Sequence, residues 1–122
     1  MKYENLYDDF IKLFPEDKEY FEQLEEENDI ERDTMHLMFG MIVCPFLHKI
    51  VEEEPEKAKV AFEFIEQMET CGDDEIANVA DVSVIEIIMT DENGGLKKFK
   101  DYLGDKTIES IKYMSQFFRF KE

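Results

Sequence analysis

The sequence predicts an all-α fold, a single compact domain over residues 1–122 with about six or seven helices in antiparallel pairs. Three observations carry this reading. Apolar residues recur at three- and four-residue spacing along nearly the whole chain, the period of a helix with one buried face. Proline and glycine fall where such helices would start and stop. Hydrophobic residues make up 43% of the chain, with 11 Phe and 7 Met, enough for one core despite 37% charged residues.

Tyr3, Leu6, Tyr7, Phe10, Ile11, Leu13 and Phe14 mark a first amphipathic helix ending near Pro15. Pro15 suits the first turn of a second helix, where its missing N–H has no helical partner to lose. That helix has a narrow apolar stripe, Tyr20, Phe21 and Leu24, and then runs into Glu25, Glu26, Glu27, Asn28 and Asp29, which read as surface. Asp33 and Thr34 are candidate caps for a third helix carrying Met35, Met38, Phe39, Ile42, Phe46 and Ile50. Pro45 lies inside this pattern beside Gly40, so a kink or two short helices are expected there. Leu37 to Leu47 is apolar on nearly all sides and marks the centre of the core.

Pro55 opens the next helix, whose buried stripe is Ala58, Ala61, Phe62, Ile65 and Met68, widened by Phe64. Gly72 suits a left-handed stop, and Asp73 or Asp74 caps the following element. Ile76, Val79, Val82, Ile85, Ile88 and Met89 continue at helical spacing, although Val82, Val84, Ile85, Ile87 and Ile88 are β-branched and favour strand. The sustained period and the lack of a second convincing strand decide for helix. Asn93-Gly94-Gly95 is the clearest turn. Leu96, Phe99, Tyr102 and Leu103 then form a helix stopped by Gly104, and Thr107 caps a last one with Ile108, Ile111, Met114, Ser115 and Phe118 inward.

Charge is the strongest functional signal. The chain holds 31 acidic and 14 basic residues, a formal net of −17, where a magnitude of about 2–8 suffices for the solubility of a small domain. Such a field disfavours nucleic acid and anionic membranes as partners and favours a basic protein. The distribution is uneven: residues 16–33 carry net −8, residues 34–95 net −11, and residues 96–122 net +3. Ordinary helices offset Glu with Lys four residues away; the middle of this chain does so sparsely. No run is read as a membrane span of about 18 apolar residues, and the first residues lack the apolar stretch of a secretory signal, so the expected location is cytoplasmic. Cys44 and Cys71 form no CxxC pair and are expected as reduced, buried thiols.

No catalytic residue, cofactor or metal is assigned. A di-metal bundle needs paired Glu-x-x-His units, and neither His36 nor His48 has Glu three residues before it. Cys44 and His48, four apart, would need two further zinc ligands from elsewhere. Asp91 to Gly95 lacks the ligand alternation of a calcium loop. Glu66 and Glu86 sit beside apolar residues; each either occupies a solvent-facing edge or is partly buried, capping a neighbouring helix or accepting from Asn78.

Phe64-Ile65-Glu66-Gln67-Met68, Gly72 to Val79 and Val82 to Glu86 together resemble small acidic all-helical bacterial proteins of unknown-function type, some of which look like polymorphic-toxin immunity proteins. The resemblance is strongest over residues 55–92 and implies binding and neutralisation of a cognate toxin domain, without a cofactor. The charge agrees, since an acidic surface steers encounter with a basic nuclease and can cover its phosphate-holding groups. The candidate partner-binding residues are Glu22, Glu25, Glu26, Glu27 and Asp29 on the second helix and Asp73, Asp74 and Glu75 at a turn, with Tyr20 and Tyr102 as possible aromatic anchors. The alternative is a helical interaction or regulatory module taking a peptide in an apolar groove lined by Met35, Met38, Phe39 and Met41. Oligomeric state is not specified by the sequence.

Overall fold

The computed structural model describes residues 1–31, 33–91 and 95–116. Among the described residues it holds seven helices and no strand, in one compact domain. Helix α1 (Leu6–Ile11) follows a 3₁₀ turn at Tyr3–Asn5, and α2 (Lys18–Asn28) follows one at Pro15–Asp17. Helix α3 is Met35–Glu53 and α4 is Pro55–Thr70. Helix α5 covers residues 74–89, α6 is Gly95–Phe99 with a 3₁₀ turn at Lys100–Tyr102, and α7 is Asp105–Met114.

The frame is α3, α4 and α5, folded back and forth by two short connections. Glu54 is extended ahead of Pro55, which starts α4 at its first turn. Gly72 adopts φ 86°, the left-handed conformation a glycine allows, and the Asp73 carboxylate then caps α5 by accepting from the N–H groups of Glu75 (2.9 Å) and Ile76 (3.4 Å). Two reversals make α3 and α5 run in the same direction, so His36 meets Ser83 at one end and His48 meets Asp91 at the other. Helices α1 and α2 dock on α3, and α7 packs across α4 and α5.

Aromatic rings fasten the N-terminal helices to this frame. Phe10 stands edge-on to Phe46 (centroids 6.1 Å apart) and to Phe64 (5.4 Å), while Phe21 lies 4.7 Å from Phe46. All four are buried, and such pairs add about 0.5–1.5 kcal/mol beyond their area. A second group, Phe62 with Phe99 and Tyr102, holds the α6 region against α4.

Both α3 and α5 contain one turn of π-helix, at Phe39–Val43 and Asp81–Ile85, and these turns contact each other. In each, an N–H bonds five residues back: Cys44 to Phe39 and Glu86 to Asp81. The first explains how Pro45 is accommodated. The wider turn relieves the clash of the proline ring with the preceding carbonyl, so α3 remains one helix instead of breaking in two. The second changes which residues face inward. One extra residue in the turn rotates the following positions, leaving Val82 43% exposed and burying Ser83 and Val84.

Other expectations are corrected. Leu13 is exposed, beyond the end of α1. Thr34 precedes α3 but caps nothing with its side chain; its hydroxyl lies on the Glu31 carbonyl. Gly104, not Thr107, is the N-cap of α7. Cys71 is exposed while Cys44 is buried. Helix α3, at 19 residues, is long and apolar enough by composition to cross a membrane, because its few charges are spread among apolar residues; half of it is buried in the fold. Asn93, Gly94 and Phe118 lie outside the described residues.

Candidate partner-binding site

Helix α2 turns one narrow face inward and the rest to solvent. Phe21 anchors it, and Glu22, Glu26 and Glu27 line its exposed side. Lys18 lies 3.9 Å from Glu22, and Gln23 donates to Glu27 at 2.9 Å. Glu25 is half-buried and accepts from the Tyr7 hydroxyl at 2.9 Å, which ties α2 to α1. Asp29 closes the helix in a left-handed conformation, φ 50°, with its N–H returned to the Glu25 and Glu26 carbonyls. The predicted cluster therefore divides: Glu22, Glu26 and Glu27 form the outward acidic face, and Glu25 and Asp29 hold the local structure.

Asp73, Asp74 and Glu75 are exposed at the α4–α5 turn. Asp73 is occupied as the cap, whereas Asp74 and Glu75 project from the first turn of α5, where negative charge offsets the helix dipole. The two acidic clusters thus stand on different elements, α2 beside the π turn of α3 and the other at a hairpin tip. Among the described residues, Glu26, Glu27, Asp74 and Glu75 enter no ion pair. Tyr20 is half-buried against Phe46 with Lys49 Nζ 4.4 Å above its ring, and Tyr102 stacks on Phe62 at 6.1 Å.

Several functional-looking carboxylates turn inward. Glu66 receives the Lys106 N–H (2.9 Å), the Thr107 N–H (2.8 Å) and the Thr107 hydroxyl (2.8 Å), so a side chain of α4 caps α7. Burial pushes its pKa up, but these three donors and the Lys106 charge outweigh that and hold it below the ordinary value. Gly104 makes the approach possible, since a Cβ there would overlap the Glu66 carboxyl group.

Glu69 is a buried carboxyl that the sequence reading passed over. It lies four residues after Ile65 and one after Met68, on the apolar stripe of α4, and that position is the signal that was available. Burial, then the neighbouring Asp81, push its pKa well above the ordinary carboxylate range, although Ser110 opposes the shift. Glu69 Oε2 and Asp81 Oδ1 are both buried without another hydrogen-bond partner. A proton retained on Glu69 and shared with Asp81 satisfies both atoms at once.

His48 bridges α3 to the segment after α5. Its Nε2 is 3.3 Å from Asp91 Oδ2, and its Nδ1 is 3.3 Å from Lys98 Nζ, which also pairs with Glu52 at 2.7 Å. An ammonium has no acceptor to offer, so the ring is the neutral form with its proton on Nε2. Burial, then Lys98, lower its pKa, while Asp91 and Glu52 oppose the change. Cys44 donates to the Ser83 carbonyl (3.2 Å), and burial pushes its thiol up to about 12, far from a thiolate. No group of three or more His, Cys, Asp or Glu side chains suited to a metal ion occurs among the described residues. Met35, Met38 and Phe39 are core residues; of the four proposed groove residues only Met41 is exposed.

Fold and site together define a small all-α domain whose inward carboxylates join its helices and whose outward ones remain open to solvent. The chain belongs to the family described as a domain of unknown function, DUF7674, whose model matches residues 7–119. No curated protein and no solved structure matches it.

Proposed function

We propose that this chain is a non-catalytic acidic binding protein of the cytoplasm, an immunity protein that neutralises a cognate bacterial toxin domain, such as a basic nuclease, by direct contact. The observation that carries the reading is the set of exposed carboxylates without ion pairs, Glu26, Glu27, Asp74 and Glu75, on a chain of net charge −17. Uncompensated acid destabilises a compact fold by self-repulsion, and a basic partner offsets that repulsion while speeding association. Glu22 extends the α2 face.

The test is co-purification with the product of the adjacent gene at about 50 mM and about 300 mM salt, where screening differs strongly. A complex that weakens with salt supports the reading, as does relief of that product's toxicity. Glu22→Lys/Glu26→Lys/Glu27→Lys and Asp74→Lys/Glu75→Lys, made separately, identify the face used. Absence of any complex at the lower salt overturns it.

A further inference from the structure

The one basic region of the molecule surrounds an apolar groove. Between α6 with its following turn and α7 lies a cavity of about 700 Å³, within the size range of small-molecule sites. Leu96, Leu103, Ile108 and Ile111 supply aliphatic walls, and Lys97, Lys100 and Lys112 stand around them. All three lysines are exposed and, among the described residues, none pairs with a carboxylate. That is unexpected where acids outnumber bases 31 to 14, since any randomly placed lysine would meet acid nearby. Lys98 and Lys106, in the same stretch, do pair, with Glu52 and Glu109.

We propose that this groove binds a monomeric anionic amphiphile, an alkyl carboxylate whose chain lies on Leu96, Leu103, Ile108 and Ile111 and whose head meets the lysines. Charge complementarity selects this occupant. The net field of the protein repels anions, so only the local ammonium groups hold a carboxylate here, and the aliphatic walls supply the affinity those groups lack. Long lysine stems also cover apolar surface while their heads stay in water, a geometry suited to the mouth of such a site. The proposal is independent of the acidic faces and of toxin binding.

The experiment is titration of the full chain with decanoate below its micelle concentration, read by methyl NMR and calorimetry, with decanol and decyltrimethylammonium as comparison probes. Saturable one-to-one binding is expected, with shifts at the Leu96, Leu103, Ile108 and Ile111 methyls. Decanol should bind more weakly, and the cationic probe should leave those methyls unmoved. Lys97→Glu/Lys100→Glu/Lys112→Glu should weaken decanoate by about tenfold or more, as expected from loss of a few hydrogen-bonded charges. Ile108→Glu, at a partly exposed wall position, should do the same without unfolding the chain. No saturable shift, equal binding of the three probes, undiminished binding to the lysine variant, or preference for anionic vesicles over monomer would each overturn the proposal.

Discussion

Glu69 gives the sharpest test of how a single side chain shapes stability. The folded state holds its proton above the ordinary carboxylate value of 4.5, so it binds more protons than the unfolded chain at neutral pH. The stabilising contribution is complete below that value and is lost as pH climbs through the raised folded value, at about 1.4 kcal/mol per pH unit. Glu69→Gln keeps a donor for Asp81 and removes the titration. Chemical denaturation from pH 5 to 9 should show a flatter profile and a higher unfolding free energy than wild type at the alkaline end. Gly104 offers a second test. Gly104→Ala should displace the Glu66 carboxylate from α7 and cost about 1–2 kcal/mol, like loss of a good N-cap. Glu66→Ala should cost a similar amount, and the double variant little more than either, because both act on one cap. Lys57 lies 2.8 Å from the buried Asp17 and 3.0 Å from Glu54, so Lys57→Met should lose about 3 kcal/mol by leaving Asp17 unpaired.

At the scale of elements, helix type and order were legible because burial on one side imposes the 3.6 period, and because Pro55 and Gly72 are placed where their backbones are useful. The inward set of α5 was not legible after Ala80. A π turn adds one residue without leaving a composition signal, and Val82 and Ser83 exchange places as a result. The capping of α7 was half legible: Glu66 was a candidate helix cap, but its target depends on how α7 approaches α4, which local sequence does not encode. Asp73 was fully legible, an acid directly after a glycine stop. Asp73→Ala should lower stability by about 1 kcal/mol. Amide exchange should show the loss concentrated in the first turn of α5.

For the whole molecule, charge decides more than packing does. The acidic surface was legible in composition, whereas the division of its members into structural and outward-facing ones was not. Glu25 resembles its neighbours in sequence and is distinguished only by Tyr7 reaching it from another helix. With net −17 the folded state repels itself, and salt screens that repulsion over a Debye length that falls to about 10 Å near 0.1 M. Thermal unfolding should therefore shift upward between about 20 mM and about 300 mM sodium chloride. A salt-independent midpoint would mean that the carboxylates lie far enough apart to ignore one another.

The paired π turns also bear on descent. Each amounts to an α-helix that has taken in a single residue, and the two lie against each other with Ser83 bonded to both His36 and Cys44 across the seam. Deleting one residue from Phe39–Val43 alone would rotate Cys44 and everything after it in α3 by about 100° relative to α5. Length changes at the two places should consequently be inherited together, and a homologue shortened by one residue at the first should also be shortened at the second.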